Sequence, residues 1–258
     1  MNEYQITFFV DDTNASAYVT QPLNRVVKKF KSSLYIINIT QNRIAELTRS
    51  LAIMQAKLQH GDLCQITAIG VDAELACFVI KDIITEHFRV VGSHINYEFS
   101  SQLAERLPQI CPPCEIKWHY AKAYTELTKF DCLKGLAQLI HPKDPDELVL
   151  AFIKREERSS TCITPGIALP HVMFSGVNHI VVAVIVNEKP VDWGSQMGEV
   201  NLAIALVMPD LSTRDQIIAA TNLTRNLLTG QLAERLLLTK NSVDLQALLM
   251  YAMSRLIA

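Results

Sequence analysis

At 258 residues the chain has room for two domains of ordinary size, and 49% hydrophobic against 19% charged residues describes a packed protein, not a disordered one. A formal net charge of −2 supplies no general attraction for nucleic acid or anionic lipid. With no charged-then-apolar leader and no apolar run of spanning length, a cytoplasmic protein without membrane insertion is expected, and six cysteines scattered among apolar residues suit reduced thiols.

In chain order, Tyr4 to Val10 is an apolar run with the length of a buried strand, and Asp11 to Ser16 is a polar turn. Thr20 to Phe30 reads as a helix with Thr20 as N-cap and Pro22 in its first turn, apolar at Leu23, Val26, Val27 and Phe30. Ser33 to Thr40 is a second strand, with a short further strand expected near 43–48. Leu47 to Leu58 is an amphipathic helix, Leu63 to Ile69 a strand, and Ala73 to His87 a helix. This βαββαβα order implies an antiparallel sheet with helices on one face.

Residues 91–114 have the character of a connection, with a short helix between Ser100 and Leu107 and a lone His94 expected at the surface. Within it, Cys111-Pro112-Pro113-Cys114 has the spacing of a redox pair or half a zinc site. No second cysteine pair follows and His119 completes a site poorly, so the two prolines read as an interdomain turn. Glu115 to Tyr120 then begins a second set of elements. Helices are expected over Thr128 to Ile140 and from Asp146 to about Arg158, the latter capped by Asp144 or Asp146. The apolar runs His179 to Val186 and Val200 to Val207 are strands buried on both faces. Helices close the chain at Thr213 to Leu228, near Gln231 to Leu237, and Val243 to Ile257. The whole is a two-domain chain of α/β and α+β class, with domains at 1–90 and 115–258 and a linker at 91–114.

The segment LAFIKREERSSTCITPGIALPHVM, from Leu150 to Met173, carries the chemistry. Pro170 fixes its own φ and pushes Leu169 towards an extended conformation, which holds His171 in a defined place. A neutral imidazole is a good nucleophile near neutral pH, and the fork of a neighbouring arginine such as Arg155 suits the dianionic oxygens of a phosphohistidine. On spacing alone, a loop histidine with a structural hydrogen bond is the competing reading, and His179 is a minor rival at a strand end.

KREERSST followed by GIALPH resembles the fructose/mannitol-type IIA (type-2 EIIA) domains of the bacterial sugar phosphotransferase system, from about Glu115 to the C-terminus and including EKPVDWG at 188–194. The resemblance implies an α/β sandwich with a mixed sheet. It makes His171 the phosphoryl acceptor, Arg155 the stabiliser of phosphoryl charge, and Thr161 a hydrogen-bond donor to the phosphoryl group. Two departures stand out: Val172 replaces the glycine usual after the histidine, and Gln216 stands where many members carry a second histidine, with Asp215 beside it. Residues 4–90 are similar to the phosphocarrier HPr, through V-T-Q-P at 19–22 and RSLAIMQAKLQHGD at 49–62. There Val19 and Gln21 stand in place of the family's phosphorylated histidine and its arginine, so this module lacks a nucleophile; Ser50 matches the regulatory serine in position, with a helix N-cap or surface hydroxyl as its plainer role.

The resemblance implies a phosphoryl carrier that takes the group on His171 from phosphorylated HPr, or an HPr-like donor, and passes it to a sugar-specific IIB domain of a membrane permease. No metal and no cofactor are expected. The alternative is a regulatory protein in which the phosphorylation state of His171 controls binding to a transporter, kinase or transcription factor. A third reading is a remnant whose site Val172 has spoiled.

Overall fold

Short apolar strands build the first sheet. In this computed structural model, which describes residues 3–12, 15–92, 98–229 and 231–257, the chain divides into two compact units, residues 1–95 with 257–258 and residues 96–256. The first holds β1 (Glu3–Phe9), α1 (Ala15–Val27), β2 (Ser33–Asn38), β3 (Arg43–Glu46), α2 (Ser50–Gln55), β4 (Leu63–Ile69), α3 (Ala73–His87) and β5 (Arg89–Val90). Its strands run β3-β2-β4-β1-β5, with every neighbouring pair antiparallel. Ile6, Phe8, Leu34, Ile36, Cys64 and Ile66 share one core with Leu23 and Val27 of α1, Ile53 of α2 and Ile80 and Ile84 of α3. The three helices therefore cover one face of an antiparallel sheet, as the element order implies.

Helix α1 corrects the expected start at Thr20. It begins at Ala15 and carries Pro22 inside it, not in its first turn. Val19, Leu23 and Val27, four residues apart, are all buried in the core, so packing extends the helix a turn past a local N-cap signal. Helix α2 is shorter than expected, because Leu47 belongs to the sheet edge, where its N–H donates to the Leu34 carbonyl at 2.9 Å. Ser50 is the exposed first residue of α2, preceded by Arg49 as N-cap. Gly70 lets β4 turn into α3 beside Ser32, with φ at +152°. Asp72 ties the same corner, accepting from the N–H groups of Lys31 and Ser32, each at 2.8 Å.

The second unit holds α4 (Leu103–Arg106), a 3-10 turn (Pro108–Ile110), β6 (Ile116–Ala123), α5 (Lys129–Ile140), α6 (Asp146–Arg158), β7 (Cys162–Thr164), β8 (Gly166–Ala168), β9 (His171–Met173), β10 (Ile180–Val191), β11 (Val200–Met208), α7 (Arg214–Thr229), α8 (Leu232–Leu238) and α9 (Ser242–Ser254). The sheet runs β6-β10-β11-β8-β7, and β9 continues beside β11. It is mixed: β10 is antiparallel to β11 and parallel to β6, while β8 and β9 are parallel to β11. Val181, Ala183 and Ile185 face α5 and α6, and the alternate residues Ile180, Val182 and Val184 are buried as well. Burial on both faces is what the uninterrupted apolar runs of β10 and β11 require.

Thr128 and Asp131 form a reciprocal capping box at the start of α5. At α6 the N-cap is Pro145 with no side-chain cap, not Asp144 or Asp146; Asp146 and Glu147 instead place negative charge in the first turn, where the helix dipole favours it. Residues 98–111, expected as connection, lie against α9. The Gln246 amide bonds both backbone groups of Ser100, Ser242 Oγ donates to the Glu98 carbonyl, and Arg255 Nη2 donates to the Gln109 carbonyl. Cys111 and Cys114 are half-buried free thiols. His94 lies outside the described residues.

Candidate functional site

Helix α6 buries Leu148, Val149 and Phe152 and so turns Arg155 to the rim of the domain, in its last turn. There the Arg155 Nη1 group donates to the Ser159 carbonyl at 3.0 Å and to Ser159 Oγ at 3.2 Å, capping its own helix. Opposite, Gly166 opens β8 with φ at +83°, a left-handed conformation that favours glycine, and a Cβ there would stand 2.8 Å from Leu237. The chain then passes the buried Leu169 and Pro170 into β9, where His171 aligns with Leu206 of β11.

The structure brings Arg155 and His171 together: Arg155 Nε–H donates to His171 Nε2 at 3.2 Å. The other ring nitrogen, Nδ1, lies 2.9 Å from the Leu169 carbonyl oxygen. A carbonyl only accepts, so Nδ1 carries the proton and Nε2 the lone pair. The imidazole is thus held in one tautomer, with its lone-pair nitrogen towards the guanidinium. Val172, half-buried, pairs with Val207 and packs against the core; a β-branched residue suits that strand position.

Thr161 lies elsewhere. It is 1% exposed, and its hydroxyl donates to Glu156 Oε2 at 2.6 Å while accepting from the Trp193 indole N–H at 3.2 Å. Its hydroxyl proton is committed inward, so bonding a phosphoryl oxygen would cost the Glu156 bond. Gln216 is not joined to His171 either. Its side-chain carbonyl accepts from Thr213 N–H at 2.8 Å and its own N–H donates to Thr213 Oγ1 at 3.3 Å, which is a capping box at the start of α7. His179 sits just before β10 with its Nδ1 3.5 Å from a Glu115 carboxylate oxygen, an ordinary strand-end pair.

The residues not foreseen are Glu156, Ser159, Lys129 and the indole of Trp193. Glu156 had a signal: Leu148, Phe152 and Glu156 are four apart, so the buried stripe of α6 runs into a carboxylate. Among the described residues no cluster of three or more His, Cys, Asp or Glu is placed to hold a metal ion, and no helix is long and apolar enough to cross a membrane.

Residues 127–251 match the family described as phosphoenolpyruvate-dependent sugar phosphotransferase system, EIIA 2. A multiphosphoryl transfer protein of Shigella flexneri is 30% identical over 105 residues, which is 41% of this chain and 13% of that protein. The chain therefore spans a small part of the curated relatives it matches. Among solved structures, the nitrogen regulatory protein IIA-Ntr of Neisseria meningitidis is 20% identical and covers 55% of this chain and 98% of its own, with a TM-score of 0.45. The histidine-containing phosphocarrier protein of Mycoplasma is 23% identical and covers 32% of this chain and 93% of its own, with a TM-score of 0.30. Arg155 and His171 both lie within the 127–251 segment that matches this family.

Proposed function

We propose that this chain is a phosphoryl carrier of the phosphotransferase system, with Nε2 of His171 as the acceptor. The observation that supports this reading most is the fixed tautomer: Nδ1–H is bound to the Leu169 carbonyl and the Nε2 lone pair lies against Arg155. A phosphohistidine donor of HPr type brings its phosphorus in line with Nε2. The new N–P bond forms as the donor's P–N bond breaks, and the donor imidazole keeps that electron pair. Arg155 turns from the lone pair to the phosphoryl oxygens, and Ser159 keeps it within reach. Such transfer rests on positioning and charge stabilisation more than on covalent help from the protein. Thr161 serves by holding the loop between α6 and β7. Gln216 occupies the place of a second histidine but cannot become cationic.

The group then passes to the IIB domain of a sugar permease of fructose or mannitol type, in the cytoplasm. The first unit is an HPr-like module for docking or spacing, with no nucleophile: Val19 is buried in its core. Spending of the Gln216 carbonyl on a helix cap favours, as a second reading, a regulatory protein in which phosphorylation is a signal and onward transfer is slow.

The test is transfer from phosphoenolpyruvate, through Enzyme I and HPr, to this protein and to His171→Ala. Acid-labile phosphate on the wild type alone is expected, with discharge when a IIB domain is added. Retention of the phosphate in the presence of IIB would favour the regulatory reading. Label on neither protein, or equally on both, would overturn the proposal.

A further inference from the structure

We infer that Glu156 is a positioning residue for phosphoryl transfer, acting through both Arg155 and His171; this rests on the reading of His171 as acceptor. Glu156 directly follows Arg155 on α6, about 100° round the helix, so while Arg155 faces the rim Glu156 points inward. Its side chain is 8% exposed. One carboxylate oxygen, Oε2, accepts twice from Thr161, from the backbone N–H at 3.1 Å and from the hydroxyl at 2.6 Å. The other, Oε1, has no hydrogen bond and is compensated by the Lys129 ammonium at 3.6 Å. Lys129 is itself held by the Trp193 carbonyl at 2.9 Å, and the Trp193 indole donates to the Thr161 hydroxyl.

A buried carboxylate is costly unless paired, and an apolar residue would fill this end of the Leu148–Phe152 stripe at less cost. What the carboxylate does is close the loop between α6 and β7 by a clamp five residues long. From that clamp the connection reaches the imidazole. The Thr161 carbonyl accepts from Leu169 N–H at 2.8 Å, and the Leu169 carbonyl accepts from His171 Nδ1–H. Glu156 is therefore joined to the guanidinium through one residue of helix, and to the imidazole through Thr161 and Leu169. It fixes the two halves of the site against each other without touching either reacting atom.

The experiment is a double-mutant cycle in the full chain, with Glu156→Gln, Arg155→Ala and the pair, read as single-turnover phosphorylation by phospho-HPr and as the His171 ring tautomer by 15N NMR. Glu156→Gln is expected to slow transfer at saturating donor about tenfold, with the half-saturating donor concentration unchanged, since misplacement acts on the chemical step and not on docking. In the Arg155→Ala background it should add little, because it acts through the same pair. The Nδ1–H tautomer should lose its dominance in Glu156→Gln. Thr161→Val, which leaves the carboxylate in place, should show a smaller loss of the same kind and serves if Glu156→Gln does not fold. Wild-type rates and tautomer in these variants, or fully additive losses, would overturn the inference. Absence of phosphorylation in the wild type would sink the carrier reading, while the tautomer would still decide the role of Glu156.

Discussion

Val172→Gly restores the glycine that type-2 EIIA domains usually carry after the histidine, and it separates two accounts of this position. Here Val172 is a strand residue: it pairs with Val207 in β9 and packs half-buried against the core. Full burial of a valine stabilises by about 1.5–3 kcal/mol, so half-burial is worth about 1 kcal/mol. Loss of a β-branched residue for glycine in a strand adds roughly another 1 kcal/mol. The variant should therefore be less stable by about 2 kcal/mol in urea titration followed by tryptophan fluorescence, a probe to which the fully buried Trp193 contributes. Phosphorylation of the folded variant should proceed at the wild-type rate, because neither ring nitrogen of His171 depends on the Val172 side chain. A variant as stable as wild type and phosphorylated tenfold faster would refute this. Val172 would then obstruct the site.

Other expectations follow from individual contacts. Gly70→Ala would put a Cβ 2.7 Å from the Ser32 Cα and should cost about 1–3 kcal/mol, measurable as an earlier urea transition. Burial pushes the Cys77 and Cys132 thiols up to about 12 and about 11, so a thiol reagent should label Cys111 and Cys114 in the native protein and reach the other two only on unfolding. At the start of α5, hydrogen bonds from the Thr128 hydroxyl and backbone hold Asp131 below its ordinary 3.8. A carboxyl depressed in the fold stabilises fully above that value and loses its contribution as pH falls through the lower folded one. Thr128→Ala should flatten this acid limb when the urea midpoint is followed from neutral pH to below 3.8.

Where one local pattern and tertiary burial agree, the elements were legible: β4 and α3 fall on the expected residues, and α6 spans Asp146–Arg158. They parted at α1, where Thr20 and Pro22 look like a helix start but Val19 extends the buried stripe upstream. Helix α9 is buried at every position from Ser242 to Met253, so no polar face marks its end, and it stops short of the expected Ile257. In the site, Arg155 and His171 could be paired from the motif that holds both, although two short strands, β7 and β8, separate α6 from β9. The partners of Thr161 could not. Trp193 is 32 residues away, past β7, β8, β9 and β10, so no local spacing ties it to Thr161, and the inward bond to Glu156 depends on how the loop closes. Gln216 carried its own structural signal, since Thr213 to Gln216 has the T-x-x-Q spacing of a capping box.

The most direct test of the account is 15N NMR of the His171 ring before and after phosphorylation by phospho-HPr. The ring proton should rest on Nδ1 in the free protein, and an Nε2-phosphohistidine should form after transfer. A proton resting on Nε2, or phosphate found on Nδ1, would contradict the account.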